Sequence, residues 1–335
     1  MTSPRILTVD DSLRAKHALR LIDHGQALLW QGDFHNARQL LTALGRRLPV
    51  SGATFTEYRA AQARRTAVLN ALYVPLLDLT VPLRRAPDVR TACLHAYGET
   101  PPSAMVPLRE LLGVIGAHQL YLRGIDVPAA GGRIHPWYGV FAPTRPEYLE
   151  LVARCPLPSA TTVVDLGTGS GVLAAILARR TTARIVATDL NPRAVGCARE
   201  NAERLGFADR IDGRRVDLYP AGRAGLIVCN PPWLPAQPQS PLDQAVYDED
   251  GRMLRGFLDG LTAHLEPGGE GWLILSDLAE HLGLRTRSEL LRAFDRAGLK
   301  VAGRLDAAPT PRRRDSDPLS AARAREVISL WRLCP

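Results

Sequence analysis

The chain has 335 residues, 46% of them hydrophobic and 23% charged, an ordinary balance for a globular protein with room for two domains and a sizeable core. No apolar run reaches the roughly 18–20 residues that span a bilayer, Asp10, Asp11, Arg14 and Lys16 interrupt any secretory core, and cysteines 93, 155, 197, 229 and 334 lack metal-ligand spacing. The expectation is a cytoplasmic protein with reduced thiols, no structural metal and no membrane partner. A formal charge of +8 favours acidic partners, RNA included. Lys16 and Lys300 are the only lysines, however, and such arginine bias is equally a mark of genomic base composition.

In chain order, residues 11–122 read as mostly helical. Ser12 and Asp33 are candidate N-caps, followed at helical spacing by Leu19, Ile22 and Leu29, and by Ala37, Leu40, Leu41 and Leu44. Further helices are expected over 57–72, 88–97 and 106–122, with Pro75, Pro82 and Pro87 breaking the stretch between. Residues 1–122 are therefore expected to form a helical domain. Two short β-prone runs flank Gly131-Gly132 and predict a hairpin within a linker over 123–142. His135, beside Pro136 and Trp137, reads as a packing residue.

The second domain, 143–335, opens its chemistry at 162–174. A β-rich run ends in Asp165 and Leu166, then Gly167-Thr168-Gly169-Ser170-Gly171 leads into a helical pattern. Glycines at this spacing permit a tight turn and a close backbone approach by a ligand. The spacing is G-x-G-x-G rather than the dinucleotide G-x-G-x-x-G, and the leading carboxylate suits a cationic ligand better than a pyrophosphate. A second strand, 184–188, ends in Asp189, placed to accept from ribose hydroxyls and to cap a helix over 191–204. A third run, 214–218, offers Asp217 as an acceptor for an adenine amino group.

Residues 226–229 have the character of a buried strand that Asn230, Pro231, Pro232 and Trp233 bring to an abrupt end. Asn230 thus stands at a strand's carboxyl end, where open α/β sheets bind ligands. An amide oxygen, a proline carbonyl and an aromatic face together suit a planar –NH2 group: two acceptors for its hydrogens and a ring for its plane. The chemistry this suggests is transfer to nitrogen. Farther on, 253–265 reads as a helix, 271–276 as a fifth strand, and 289–297 as a helix with Ser288 as N-cap and Gly298 as its stop. Runs 299–305 and 326–333 read as the last strands, joined by an arginine- and proline-rich loop over 306–320.

The ordered motifs VVDLGTGSG, VATDLNP, RVDL and VCNPPW resemble those of class I S-adenosylmethionine-dependent methyltransferases. The resemblance implies an α/β fold, with a Rossmann-like seven-stranded sheet and an N-terminal helical domain, and S-adenosyl-L-methionine as cofactor. It places Asp165, Gly167, Thr168, Gly169 and Gly171 at the methionine moiety, Asp189 and Leu190 at the ribose, and Asp217 and Leu218 at the adenine. Asn230, Pro231, Pro232 and Trp233 match the tetrad of members that methylate a planar nitrogen, with Asn230 also bordering the cofactor; tryptophan replaces the commoner tyrosine or phenylalanine.

The order of helical region, hairpin and the segment Ala-Pro-Thr-Arg-Pro-Glu-Tyr starting at Ala142 is similar to HemK-type glutamine-N5 methyltransferases, which modify translation release factors or a ribosomal protein. Thr144 splits the family's Pro-Arg pair, and Tyr148 stands where the family has threonine. The expected function is accordingly methylation of a glutamine amide in such a protein. The alternatives are an RNA enzyme acting on adenine N6 or guanine N2, and a natural-product N-methyltransferase. A non-catalytic scaffold is disfavoured by the complete motifs, and a nicotinamide dehydrogenase by the glycine spacing.

Overall fold

A computed structural model describes residues 5–100, 103–238, 243, 246–308 and 319–335. They form two compact units divided between Gln119 and Leu120.

The first unit contains β1 (Arg5–Val9), α1 (Ala15–Asp23), β2 (Gln26–Trp30), α2 (Phe34–Arg47), α3 (Phe55–Asn70), β3 (Leu72–Pro75), α4 (Arg90–Tyr97) and β4 (Met105–Pro107). Helix α5 (Leu108–Arg123) runs across the division. The expected helices are present, but so is a sheet that the helical reading of 11–122 lacked, with strand order β1-β2-β3-β4. β1, β2 and β3 are parallel and β4 is antiparallel to β3. Gly25, at φ 81°, stops α1, so Leu29 belongs to β2 and not to the first helix. Ser12 does not cap α1; Arg14 holds that position and Ser12 bonds Asp10 instead. Asp33 does cap α2, accepting from His35 N, and its buried carboxylate also binds Arg84 and Arg85.

The second unit begins with the hairpin β5 (Ile125–Val127) and β6 (Gly132–Ile134), antiparallel about Gly131. Then follow α6 (Pro146–Arg154), β7 (Thr162–Leu166), α7 (Val172–Arg180), β8 (Arg184–Asp189), α8 (Pro192–Arg204), β9 (Ile211–Arg215) and β10 (Ala224–Cys229). The chain closes with α9 (Arg252–His264), β11 (Leu265–Ser276), α10 (Leu278–His281), α11 (Arg287–Arg296), β12 (Lys300–Ala307), α12 (Ser320–Arg323) and β13 (Ile328–Cys334). The seven-stranded sheet has the order β12-β13-β11-β10-β7-β8-β9, parallel from β11 through β9, with β13 antiparallel to both its neighbours.

Alternation along the strands explains the layers. Val163, Leu226, Val228 and Ile274 enter one core with α7 and the hairpin; Val164, Ile227, Cys229 and Leu273 enter the other with α9 and α11. Every residue of β10 is buried, as its uninterrupted apolar run requires. Some boundaries move. The third strand runs over Ile211–Arg215, leaving Asp217 beyond it, and β11 starts at Leu265, not 271. Thr286, not Ser288, caps α11, through a capping box with Glu289. Asn191, not Asp189, caps α8. Of the expected loop over 306–320, residues 309–318 lie outside the described residues.

Candidate active site

The order of strand addition reverses between the parallel neighbours β7 and β10: from β7 the sheet grows one way to β8 and β9, and from β10 the other way to β11. Such a switch point opens a crevice at the carboxyl ends of the strands. Leu166 pairs with Cys229 on one side and Thr188 on the other, so Gly167, Asn230 and Asp189 leave three adjacent strands at one edge.

The turn after β7 is held from beneath. Asp165 is buried, and its Oδ2 accepts from Thr168 Oγ1 at 2.7 Å and from Ala174 N at 3.1 Å. Burial raises its carboxyl from the ordinary 3.8 to about 6, against the pull of those two hydrogen bonds. Thr168 and Ser170 are buried too, and the intervening Gly169 is partly exposed. Gly169 has φ 55°, and a Cβ there would meet nothing within 4 Å. Gly171 serves a different purpose: a Cβ on it would lie 2.9 Å from Ala198 Cα, so its lack of a side chain lets α7 and α8 approach. The space above Gly167 is filled by Met253 Cε.

Asp189 ties this turn to β8. Its Oδ2 accepts from Gly169 N at 3.0 Å and its Oδ1 from Asn191 N at 2.9 Å, leaving further lone pairs on both oxygens. Burial raises this carboxyl above its usual range. Leu190 beside it is 53% exposed, an apolar surface at the crevice edge. Asp217 is not at a strand end; it pairs with Arg252 at 2.7 Å, and both side chains are largely in solvent. Leu218 carries φ 64°, and its carbonyl accepts from Thr188 Oγ1 at 2.8 Å.

On the other side of the crevice, Pro231 is buried, and Asn230, Pro232 and Trp233 are partly so. The Trp233 ring packs against both cores, and its Nε1 donates to Asn230 Oδ1 at 2.9 Å. The Arg145 guanidinium lies over the ring, 5.0 Å from its centroid. Arg145 stands at the N-cap of α6 and makes a forked pair with Glu326 at 3.0–3.2 Å. Glu326 is buried and also accepts from Ser276 Oγ at 2.5 Å, at the end of β11.

Comparison with known proteins decides the family. The family model described as methyltransferase small domain matches residues 138–296, which include the turn, Asp189 and the tetrad. A release factor glutamine methyltransferase from Cereibacter sphaeroides is 31% identical over 278 residues, which is 75% of this chain and all of that one. This chain belongs to the class I S-adenosylmethionine-dependent methyltransferases of the small-domain family. The methyltransferase is also similar to a tRNA1(Val) (adenine(37)-N6)-methyltransferase from Shewanella loihica, 29% identical over 180 residues, covering 50% of this chain and 71% of the relative. A SAM-dependent methyltransferase from Geobacter sulfurreducens, crystallised with S-adenosyl-L-homocysteine, aligns with a TM-score of 0.39 at 21% identity over 63% of this chain and 99% of its own.

The crevice of the methyltransferase fits its cofactor. An open glycine backbone, an exposed leucine beside a carboxylate with spare lone pairs, and a buried acid behind the turn match an amino acid, a ribose and a sulfonium charge. Sequence reasoning missed three residues here. Asn201 on α8 is buried; its Nδ2 donates to Ser170 O at 3.0 Å and its Oδ1 accepts from His135 N at 2.8 Å, tying the turn to the hairpin. The others are Glu326 and Ser276, which hold Arg145. A polar residue on the otherwise apolar face of α8 is a readable signal for Asn201; nothing local marks Glu326.

Proposed function

We propose that this methyltransferase transfers its methyl group to a planar –NH2 nitrogen, the side-chain amide of a glutamine in a translation release factor or ribosomal protein. The observation that carries the reading is the position of Asn230-Pro231-Pro232-Trp233. The tetrad leaves β10 next to the turn of β7, with Cys229 and Leu166 in register. Similarity to a release factor glutamine methyltransferase over its whole length supports glutamine as the acceptor.

In this reading Gly167, Thr168, Gly169 and Gly171, braced by Asp165, hold the methionine end of the cofactor. Asp189 accepts from the ribose beside Leu190, and Asp217 and Leu218 border the adenine. S-adenosylmethionine supplies an electrophilic methyl whose sulfur departs with the bonding electron pair. An amide nitrogen is a poor nucleophile because its lone pair is delocalised. Asn230 Oδ1 and the Pro231 carbonyl accept its two N–H groups, orient the lone pair along the line of displacement and stabilise the positive charge that develops. Holding the two reactants in line contributes roughly 7–11 kcal/mol. The nitrogen then gives up one proton to water.

Transfer of labelled methyl groups to fractionated lysate tests the reading. Label that survives nuclease and is lost to protease is the expected result. Label lost to nuclease would move the assignment to RNA base methylation, which the similarity to an adenine-N6 enzyme favours as the second reading.

A further inference from the structure

We infer that Trp233 is a positioning residue: its indole N–H selects which end of the Asn230 side chain serves as the acceptor. The inference rests on the role given to Asn230 above. An amide side chain can turn over about its terminal bond, exchanging C=O for NH2 with almost no change of shape. The two orientations have opposite chemistry. With the oxygen toward a substrate –NH2, acceptor meets donor; with the nitrogen there, donor meets donor and the site repels its substrate.

An indole N–H is a donor only and cannot bond the NH2 end. The contact from Trp233 Nε1 to Asn230 Oδ1 at 2.9 Å therefore exists in one orientation alone. The amide oxygen has a second lone pair, so this bond fixes the acceptor without consuming it. The indole is itself immobilised, by both cores on its flanks and by Arg145 over its face. Arg145 is in turn clamped by Glu326, which Ser276 holds. A phenylalanine at 233 retains a ring face but lacks the donor, and a tyrosine carries its donor on a different vector. The tryptophan variation in the tetrad thus adds a function that stacking does not explain.

A double-mutant cycle read on kcat/KM for the acceptor tests this, using the release factor or transfer RNA that takes up label. Trp233→Phe is expected to lower kcat/KM about tenfold, the size of one hydrogen bond together with the opposed donor. Its dissociation constant for S-adenosylmethionine should stay within about twofold of the parent. In the Asn230→Asp background both ends of side chain 230 are oxygens, so orientation loses its meaning and Trp233→Phe should cost about twofold or less.

Equal losses in both backgrounds overturn the inference and leave the acceptor reading intact; a parent enzyme that forms no N-methyl product overturns the acceptor reading itself. Should Asn230→Asp be inactive, 3-benzothienylalanine at position 233 gives the answer alone. It keeps the bicyclic aromatic shape and both faces and puts a non-donating sulfur in place of the N–H. An about tenfold loss with unchanged melting temperature supports the lock, and full turnover rejects it.

Discussion

The two walls of the crevice are built by different means. The β7–β8 wall is held mainly by backbone groups and by the acids of the two neighbouring strands: Asp165 reaches Thr168 and Ala174, and Asp189 reaches Gly169 and Asn191. The β10 wall depends on side chains distant in sequence, in the series Ser276, Glu326, Arg145, Trp233 and Asn230. Substitution at the first wall should therefore act on cofactor affinity, and at the second on acceptor turnover.

The sharpest separation is Asn230→Ala. It should lower kcat by about 10²-fold or more, as removal of one preorganised polar group at a developing charge does, while calorimetry finds the cofactor dissociation constant nearly unchanged. A large loss of cofactor affinity in this variant would erase the distinction between the walls.

That difference also decides what could be read from sequence. The glycine turn, Asp189 and the tetrad each combine residues within a few positions, so spacing alone brought them into view. The pairing of Arg145 with Glu326 joins residues 181 positions apart, and no periodicity encodes it. In the first unit, strands of three to five residues next to helices carry too little alternation to be seen; Gln-Ala-Leu-Leu-Trp at 26–30 keeps helical spacing with α1, and only the left-handed turn at Gly25 separates the two. The run 214–218 has the character of a strand, but β9 stops at Arg215, so Asp217 lies two residues beyond its end.

On the cofactor wall, Asp165→Asn should weaken S-adenosylmethionine binding about tenfold by removing a charge-assisted acceptor. Asp165 also gives the wall its pH dependence. Its carboxyl lies at about 6 in the folded chain against an ordinary 3.8. Between these values the folded state holds a proton that the unfolded state has lost, so this group's contribution to stability declines as pH rises toward 6. Cofactor binding should show the opposite trend, strengthening as pH rises through about 6 and Asp165 becomes anionic. Titrations across that range check both, and Asp165→Asn should flatten both.

Glu326→Gln addresses the second wall from its far end. It retains the shape and an acceptor for Ser276 but leaves Arg145 with less charge compensation. Acceptor kcat/KM should fall about fivefold and the melting temperature by roughly 5 °C, with cofactor affinity preserved. Asp217→Ala should be the mildest change, about threefold or less in cofactor affinity, because its pair with Arg252 is exposed to solvent.

The most direct test of the central claim is to locate the transferred methyl group by tandem mass spectrometry of the product. The expected product carries a single methyl on a formerly unsubstituted –NH2 nitrogen, and on a glutamine side chain if the acceptor is a protein. A methyl found on carbon, oxygen or sulfur would contradict it.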